Sequence, residues 1–426
     1  MTTLKAVRGT RDLLPPETAL WNRIEATARD VFARYNFGEI RTPVFEDTSL
    51  FARSVGEETD IVSKEMYTWE DRARAQSEKT QSLTLRPENT AGVVRAAIEH
   101  NLFESGQLQK LYYIGPQFRR ERPQKGRYRQ FSQIGAEVIG PPSSGSESPL
   151  RDAEILEMLA TLLDELGITG WTLELNSVGS AADRERYNQA LRAALVPVVE
   201  KMCADCQRRA VTNPLRVLDC KVPEDQPIID KLPVIADSLD EASRAHFAAV
   251  TAALDAASVP YKLNPRLVRG LDYYTRTTFE FTHGGLGAQN ALLGGGRYDG
   301  LSEMLGGPRA PGIGFAMGED RLVLTLLAQE SAPPQVAEAF IAPLGESLNA
   351  AALVLARELR HQGLWIELGE GSFRLKKSFE AADKTARHII ILGEDELKSG
   401  ILTVKNFSTG IQTKVPRAEL AAFLSS

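Results

Sequence analysis

Residues Tyr112 to Gly140 read YYIGPQFRRERPQKGRYRQFSQIGAEVIG, with apolar and polar positions alternating at both ends and Pro123 and Gly126 between them. Alternation with a period of two over five or more residues marks a strand, and a polar segment holding Pro and Gly marks a turn. The stretch is therefore expected to fold as a long antiparallel hairpin, and the rest of the chain must supply a sheet around it. Residues two apart on a strand share a face. Gln133, Gly135 and Glu137 then point together, and so do Arg119 and Glu121. From Arg119 to Arg129 there are six Lys or Arg residues and one Glu. Charged side chains are seldom buried without a partner, so an arginine and a carboxylate on buried strands point to a zwitterionic ligand held between them.

The bulk properties set wider bounds. A length of 426 residues allows about three domains at ~150 residues each. No apolar run approaches the ~18 residues that a membrane span needs. The first residues, MTTLKAVRGTRDLLPPE, lack the apolar stretch of a secretory signal, and a cytoplasmic protein is expected. The net charge of −6 argues against wholesale coating of nucleic acid, yet leaves room for a local basic patch on phosphates. Cys203, Cys206 and Cys220 form a CxxC and one further Cys, a ligand short of a structural zinc site. They are expected to be free thiols, and no residue is assigned to a metal.

Taken in order, Glu17 to Tyr35 places Leu20, Ile24, Val31 and Phe32 on one helical face. GEIRTPVFED then reads as a short edge strand, because Pro43 cannot donate to a ladder. SLTLRPENTAGVVRAAIEH predicts a strand, a turn and a helix from Thr90, with the Thr90 side chain as its cap and Glu88 either at a ligand or at the helix N-terminus. Asp152 to Leu166 is a helix with a leucine-rich core stripe, and WTLELNSVGS is a strand. From 181 to 259 the chain is Ala-rich and charged without alternation, the texture of a separate helical domain. In LLGGGRYDGL the glycines suggest close backbone approach or a bend. Gly312 and Gly314 would leave a strand face bare enough for a flat adenine. QESAPPQVAE is a linker. Beyond it strands (AFIAPL, HIIILG, GILTVKNF) alternate with helices (350–362 and 373–384), as in a small α/β sheet.

The spacing FRxER…GRYRQFxQ…GxE resembles motif 2 of the class II aminoacyl-tRNA synthetases, and within them the histidyl-tRNA synthetase family. Arg269 to Tyr274, RGLDYY, is similar to a motif of that family, the helix and Pro43 strand resemble motif 1, and Gly312, Gly314, Gly318 and Arg321 resemble motif 3. FRLKKSF…ADK and ILGEDEL resemble its anticodon-binding domain. Two departures stand out: Asn89 where the family more often has Gly, and Ser132 where relatives often carry His.

The resemblance implies an α+β fold: a class II antiparallel-sheet catalytic core (1–180 and 260–328) with a helical insertion (181–259), a linker (329–336) and a C-terminal α/β anticodon-binding domain (337–426). It implies histidine activation with ATP and Mg²⁺, transfer to tRNA(His), and a homodimer. Catalysis falls to Arg119 and Arg269. Histidine binding falls to Glu88, Asn89, Thr90, Arg119, Gln133, Glu137, Arg269, Tyr273 and Tyr274, and ATP binding to Arg119, Glu121, Tyr128, Phe131 and Arg321. A regulatory subunit of ATP phosphoribosyltransferase would share the core. Such proteins tend to lack the RGLDYY motif and the C-terminal domain, and both are present here.

Overall fold

The computed structural model describes residues 3–56, 59, 61–71, 80–124, 126–268, 273–286, 290–329 and 336–425. It divides into two units, Met1–Ala332 and Pro333–Ser426. In the first, the apolar stripe of the N-terminal helix does what its spacing dictates: helix Glu17–Arg34 buries Leu20, Ile24, Val31 and Phe32. They join one large core with Pro149–Glu165, whose Ile155, Leu156, Leu159, Leu162 and Leu163 are buried, and with the back of the central sheet. Ser148 caps that second helix by accepting from the Leu150 amide, the usual way to satisfy a free N–H at a helix start.

The central sheet has eight strands. From one edge they run Gly38–Glu39, Gln109–Phe118, Gln130–Ile139, Gly312–Gly318, Ala291–Arg297, Thr275–His283, Trp171–Ser177 and Lys262–Leu263. The hairpin is formed as expected, ten residues to a strand, pairing Gln109 with Ile139 and Phe118 with Gln130. Only the two edge strands pair parallel to their neighbours. The segment after the first helix is divided between two sheets. Gly38–Glu39 pairs with the hairpin, whereas Phe45–Asp47, past Pro43, joins Gln81–Leu85 and Tyr67–Asp71 in a separate three-stranded sheet. The proline interrupts the ladder, and the chain changes sheets there.

The glycines of LLGGGRYDGL lie within a strand. A Cβ on Gly295 would stand 2.1 Å from the carbonyl oxygen of Gly314 on the neighbouring strand, so close backbone approach requires glycine here. At the end of the same strand, Arg297 is fully buried and paired with the equally buried Asp152. His246 reaches the same carboxylate at 2.9 Å. His246 belongs to helix Glu241–Ala256, whose Val250 and Leu254 pack into the main core. Tyr187 to Leu239 fill a second apolar cluster that Val178 and Val268 join, whereas the last helix of the region 181–259 packs into the main core.

The second unit carries a five-stranded sheet ordered Ile366–Leu368, Ala337–Pro343, Ala386–Leu392, Ile401–Asn406 and Gln412–Pro416, the first three parallel and the last two joined antiparallel. Helices Asn349–His361 and Leu375–Thr385 flank it, and two apolar clusters fill its faces. Among the described residues no helix is long and apolar enough to cross a membrane.

Candidate active site

One face of the central sheet is floored by small residues. Gly135, Ala316 and Gly294 stand in one row across three strands, and Glu137, Gly314 and Gly296 in the next. Above the first row opens a cavity of about 440 Å³, lined among others by Arg119, Glu121, Tyr128, Phe131, Gln133 and Arg321. All six are among the residues expected from the sequence. Arg119 sits one residue past the strand's end and is half-buried. Its Nε donates to the Pro87 carbonyl at 2.9 Å, and its guanidinium lies 5.2 Å from the Phe131 ring centre. Arg321 donates to the Ala291 carbonyl. Burial holds its guanidinium below the ordinary value, and neighbouring Arg127 and Arg119 add to this against Glu280 and Glu121. Three arginines thus face one another across a polar cavity, which an anionic ligand would relieve.

Other contributors are not evident from the sequence. Arg127 lines the cavity and pairs with Glu121 at 3.3 Å. Arg216 and Asp219 reach it from the helical insertion, and Glu280 from the strand beyond Gly294. Arg11 holds the far side: its guanidinium sits 4.9 Å from the Tyr128 ring centre and bonds Glu17 and Asp320. The signal for Arg11 is present in the sequence as the polar run RGTRD, but nothing local ties it to a hairpin more than a hundred residues away.

Further along the same strand face lies Glu137, fully buried. Thr90 Oγ1 donates to its Oε1 at 2.7 Å, and the Tyr298 hydroxyl donates to Oε2 at 2.6 Å. With no cation beside it among the described residues, burial pushes this carboxyl up to about 8, although both hydroxyl donors pull it down. Tyr113, Tyr273, Tyr274 and Tyr298 are buried as well; Tyr273 lies 4.7 Å from Tyr274 and 5.8 Å from Tyr298, ring centre to ring centre. Among the described residues, the Tyr113 hydroxyl and Gln133 Oε1 are buried without a hydrogen-bond partner. Groups in that state ask for a ligand.

Three expectations change. The space over Gly312 and Gly314 is filled: a Cβ there would stand 2.5 Å from the Tyr298 ring and 1.7 Å from Glu137 Oε2. Those glycines make room for the acid and the tyrosine, and the flat floor under the cavity belongs to Ala316 and Gly294. Secondly, the helix Thr90–Glu99 is capped by Glu88, which accepts from the Thr90 and Ala91 amides at 2.7 and 3.1 Å. That frees the Thr90 hydroxyl for Glu137. Burial raises the Glu88 carboxyl against those amides and the charge of Arg119. Thirdly, Asn89 faces away, accepting from Thr42 at 2.7 Å. Arg269, with Gly270, Leu271 and Asp272, lies outside the described residues.

A polar cavity lined by both arginines and carboxylates thus lies on the strand face that also carries a buried acid. The profile described as histidyl-tRNA synthetase matches residues 9–322. The chain belongs to the histidyl-tRNA synthetase family. An anticodon binding domain matches 338–426. The histidine–tRNA ligase of Koribacter versatilis (strain Ellin345) is 72% identical over 422 residues, covering 99% of this chain and 96% of that one. That of Solibacter usitatus (strain Ellin6076) is 56% identical over 425 residues, 99% of each. Among solved structures, apo histidyl-tRNA synthetase from S. aureus superposes with a TM-score of 0.79 at 37% identity, covering the whole of both chains. As in the rest of the histidyl-tRNA synthetase family, the activity is that of an aminoacyl-tRNA ligase. Histidine reacts with ATP to give histidyl-adenylate and pyrophosphate, and the histidyl group then passes to the 3′ end of tRNA(His).

Proposed function

We propose that histidine activation takes place where the 440 Å³ cavity meets the buried acid, with histidine in the Glu137 chamber and ATP beneath the arginines. The observation that carries this is Glu137: a buried carboxylate held by two hydroxyls and, among the described residues, no cation, on the strand face that also bears Gln133 in the cavity wall. An imidazole N–H would add a further donor to the two hydroxyls. In this reading Glu137 and Tyr274 take the imidazole, with Tyr273 packed beside them. Glu88, Thr90 and Gln133 take the α-amino group, the unpaired Gln133 Oε1 supplying an acceptor.

The α-carboxylate, with a pKa near ~3.5, is ionised at neutral pH and attacks the α-phosphate without a general base. What remains is to orient two anions and stabilise charge at phosphorus. Arg119 and Arg269 meet the carboxylate and α-phosphate, and Arg321 the outer phosphates, each by a planar fork that stays charged. Tyr128 and Phe131 flank the nucleotide. Mg²⁺ would accompany ATP and supply positive charge at its phosphates. Glu121 and Glu280, whose charges act on Arg321, are oxygen donors that suit a hard cation, and they would hold it where it neutralises phosphate charge.

The working form is a cytoplasmic homodimer, joined at the Gly38–Glu39 edge and the exposed Val44, Phe45 and Trp69 beside it. Free apolar area next to an unpaired strand suits self-association, and sedimentation of the full chain should read a dimer mass. The activation site is tested by single-turnover pyrophosphate release with each standard amino acid. Histidine alone should support it, and Arg269→Ala should slow it by ~10² or more, the worth of one oriented charge stabiliser, with circular dichroism unchanged. A near-normal rate in the folded variant would remove Arg269 from the scheme.

A further inference from the structure

The three cysteines of the insertion converge on an aspartate that sequence spacing did not single out. Cys203 precedes helix Ala204–Thr212, Cys206 lies in its first turn, and Cys220 and Asp225 follow on the returning segment. Sγ of Cys203 is 3.9 Å from Sγ of Cys220, and the latter is 3.2 Å from Asp225 Oδ2. One donor atom from each of the four residues lies within 4.8 Å of every other. All three thiols are free; Cys206, Cys220 and Asp225 are buried and Cys203 is half-buried.

We propose that these four residues form a structural metal site that takes one zinc ion through three thiolates and one carboxylate. Tetrahedral zinc with Zn–S bonds of ~2.3 Å places its sulfurs ~3.8 Å apart, close to the separation already present. Asp225 is a buried carboxylate that, among the described residues, has no Lys or Arg paired with it, and it accepts from the Cys203 amide and the Cys220 thiol. A divalent cation supplies its missing counter-charge. The Val222 amide donates to Cys220 Sγ at 3.4 Å, a bond that favours the thiolate. Gln226 ties the loop from outside through the Cys220 and Val222 carbonyls, at 2.9 and 3.0 Å, the kind of outer support metal ligands need. On binding, the three thiols release their protons to solvent and nothing is oxidised. A Cys203–Cys220 disulfide, the competing use of this pair, would leave Cys206 and Asp225 without a role. The site bears on the active centre too: Arg216 and Asp219, which line the cavity, lie between Cys206 and Cys220. Metal at this point fixes the segment that presents them.

The full-length chain, expressed with added zinc and purified in reductant without chelator, should hold about one zinc ion per chain by elemental analysis. Cys220→Ser and Asp225→Ala should lose it by at least ~10-fold, whereas Asp225→Cys, which completes a four-thiolate set, should keep it. Since serine variants could misfold, wild-type protein stripped by chelator is also titrated with Co²⁺ alone. The visible absorption of a tetrahedral thiolate site should appear and saturate at one equivalent. Stripping should raise KM for ATP several-fold and leave KM for histidine unchanged. Wild-type protein that carries no zinc and gives no cobalt spectrum overturns the site, as does a Cys203–Cys220 disulfide found by mass spectrometry. An ATP KM indifferent to the metal overturns its link to the cavity.

Discussion

Glu137 and Gly314 form a matched pair: the acid can occupy its chamber only because the residue across the ladder has no side chain. We predict that Gly314→Ala displaces the Glu137 carboxylate and weakens histidine binding by about tenfold or more, the ~1–3 kcal/mol of a disrupted buried hydrogen-bond set. ATP binding should change little, because the cavity floor under the nucleotide is Ala316 and Gly294. Calorimetric titration with each ligand separately decides it, and equal losses would make the pair structural. Glu319 poses a second residue-scale question. It is buried, and burial pushes its carboxyl up to about 8, with Glu25 and Asp320 adding to the shift and Ser132 and Arg29 opposing it. The folded state therefore keeps a proton that the unfolded chain gives up near its ordinary 4.5. That contribution is complete below the unfolded value and is lost as pH rises through the folded one. Glu319→Gln should flatten the decline in stability between pH ~5 and ~9 by roughly 1–4 kcal/mol. Thermal unfolding curves of the two proteins that run parallel across that range would exclude it.

Among the elements, the hairpin was legible because alternation records two buried faces directly, and its register placed Gln133 and Glu137 on the face where they are found. The helix stripes at Glu17–Arg34 and Pro149–Glu165 were legible for the same reason. What the sequence hid was contact between distant elements. Tyr298 follows a glycine run that reads as a bend, and nothing local reveals that its hydroxyl meets Glu137 161 residues away. Arg216 and Asp219 sit in a helical region without visible chemistry, and the chain's move from one sheet to another at Pro43 depends on partners that periodicity cannot name. The N-terminal segment is another such case. Arg129 donates its amide to the Gly9 carbonyl at 2.7 Å and a guanidinium N–H to the Arg8 carbonyl at 3.2 Å. Gly9 has φ +92 and a Cβ there would stand 2.8 Å from Arg129 and Pro123, so this strap fits the hairpin loop only as glycine. Arg11→Ala removes the cation over Tyr128 and a part-buried pair with Asp320. KM for ATP should rise ~3- to 10-fold, from ~1 kcal/mol of cation–π and ion-pair attraction, with KM for histidine nearly unchanged. Pyrophosphate exchange measures both, and an unaltered KM for ATP would show that the strap only covers the loop.

On the scale of the molecule, the two units have separate cores, and every residue proposed for histidine or ATP lies in the first. A chain ending at residue 332 should fold and exchange pyrophosphate with histidine at a rate near that of the full chain. It should charge tRNA poorly, since the matched anticodon-binding domain is gone. With fewer phosphate contacts, the tRNA binding that remains should fall less steeply with salt. Exchange and aminoacylation rates measured side by side separate the outcomes: a joint fall means the second unit supports the first, and undiminished charging means it does not read the tRNA. The sheet order carries a consequence for biosynthesis. Strand Gln130–Ile139 pairs on one side with its hairpin partner and on the other with Gly312–Gly318, which leaves the ribosome about 180 residues later, a delay of ~10–35 s at common elongation rates. Throughout that interval the nascent hairpin has an open edge, and the whole insertion is made meanwhile. The first unit can close its central sheet only near the end of its own synthesis, which makes the half-made chain a natural client for chaperones.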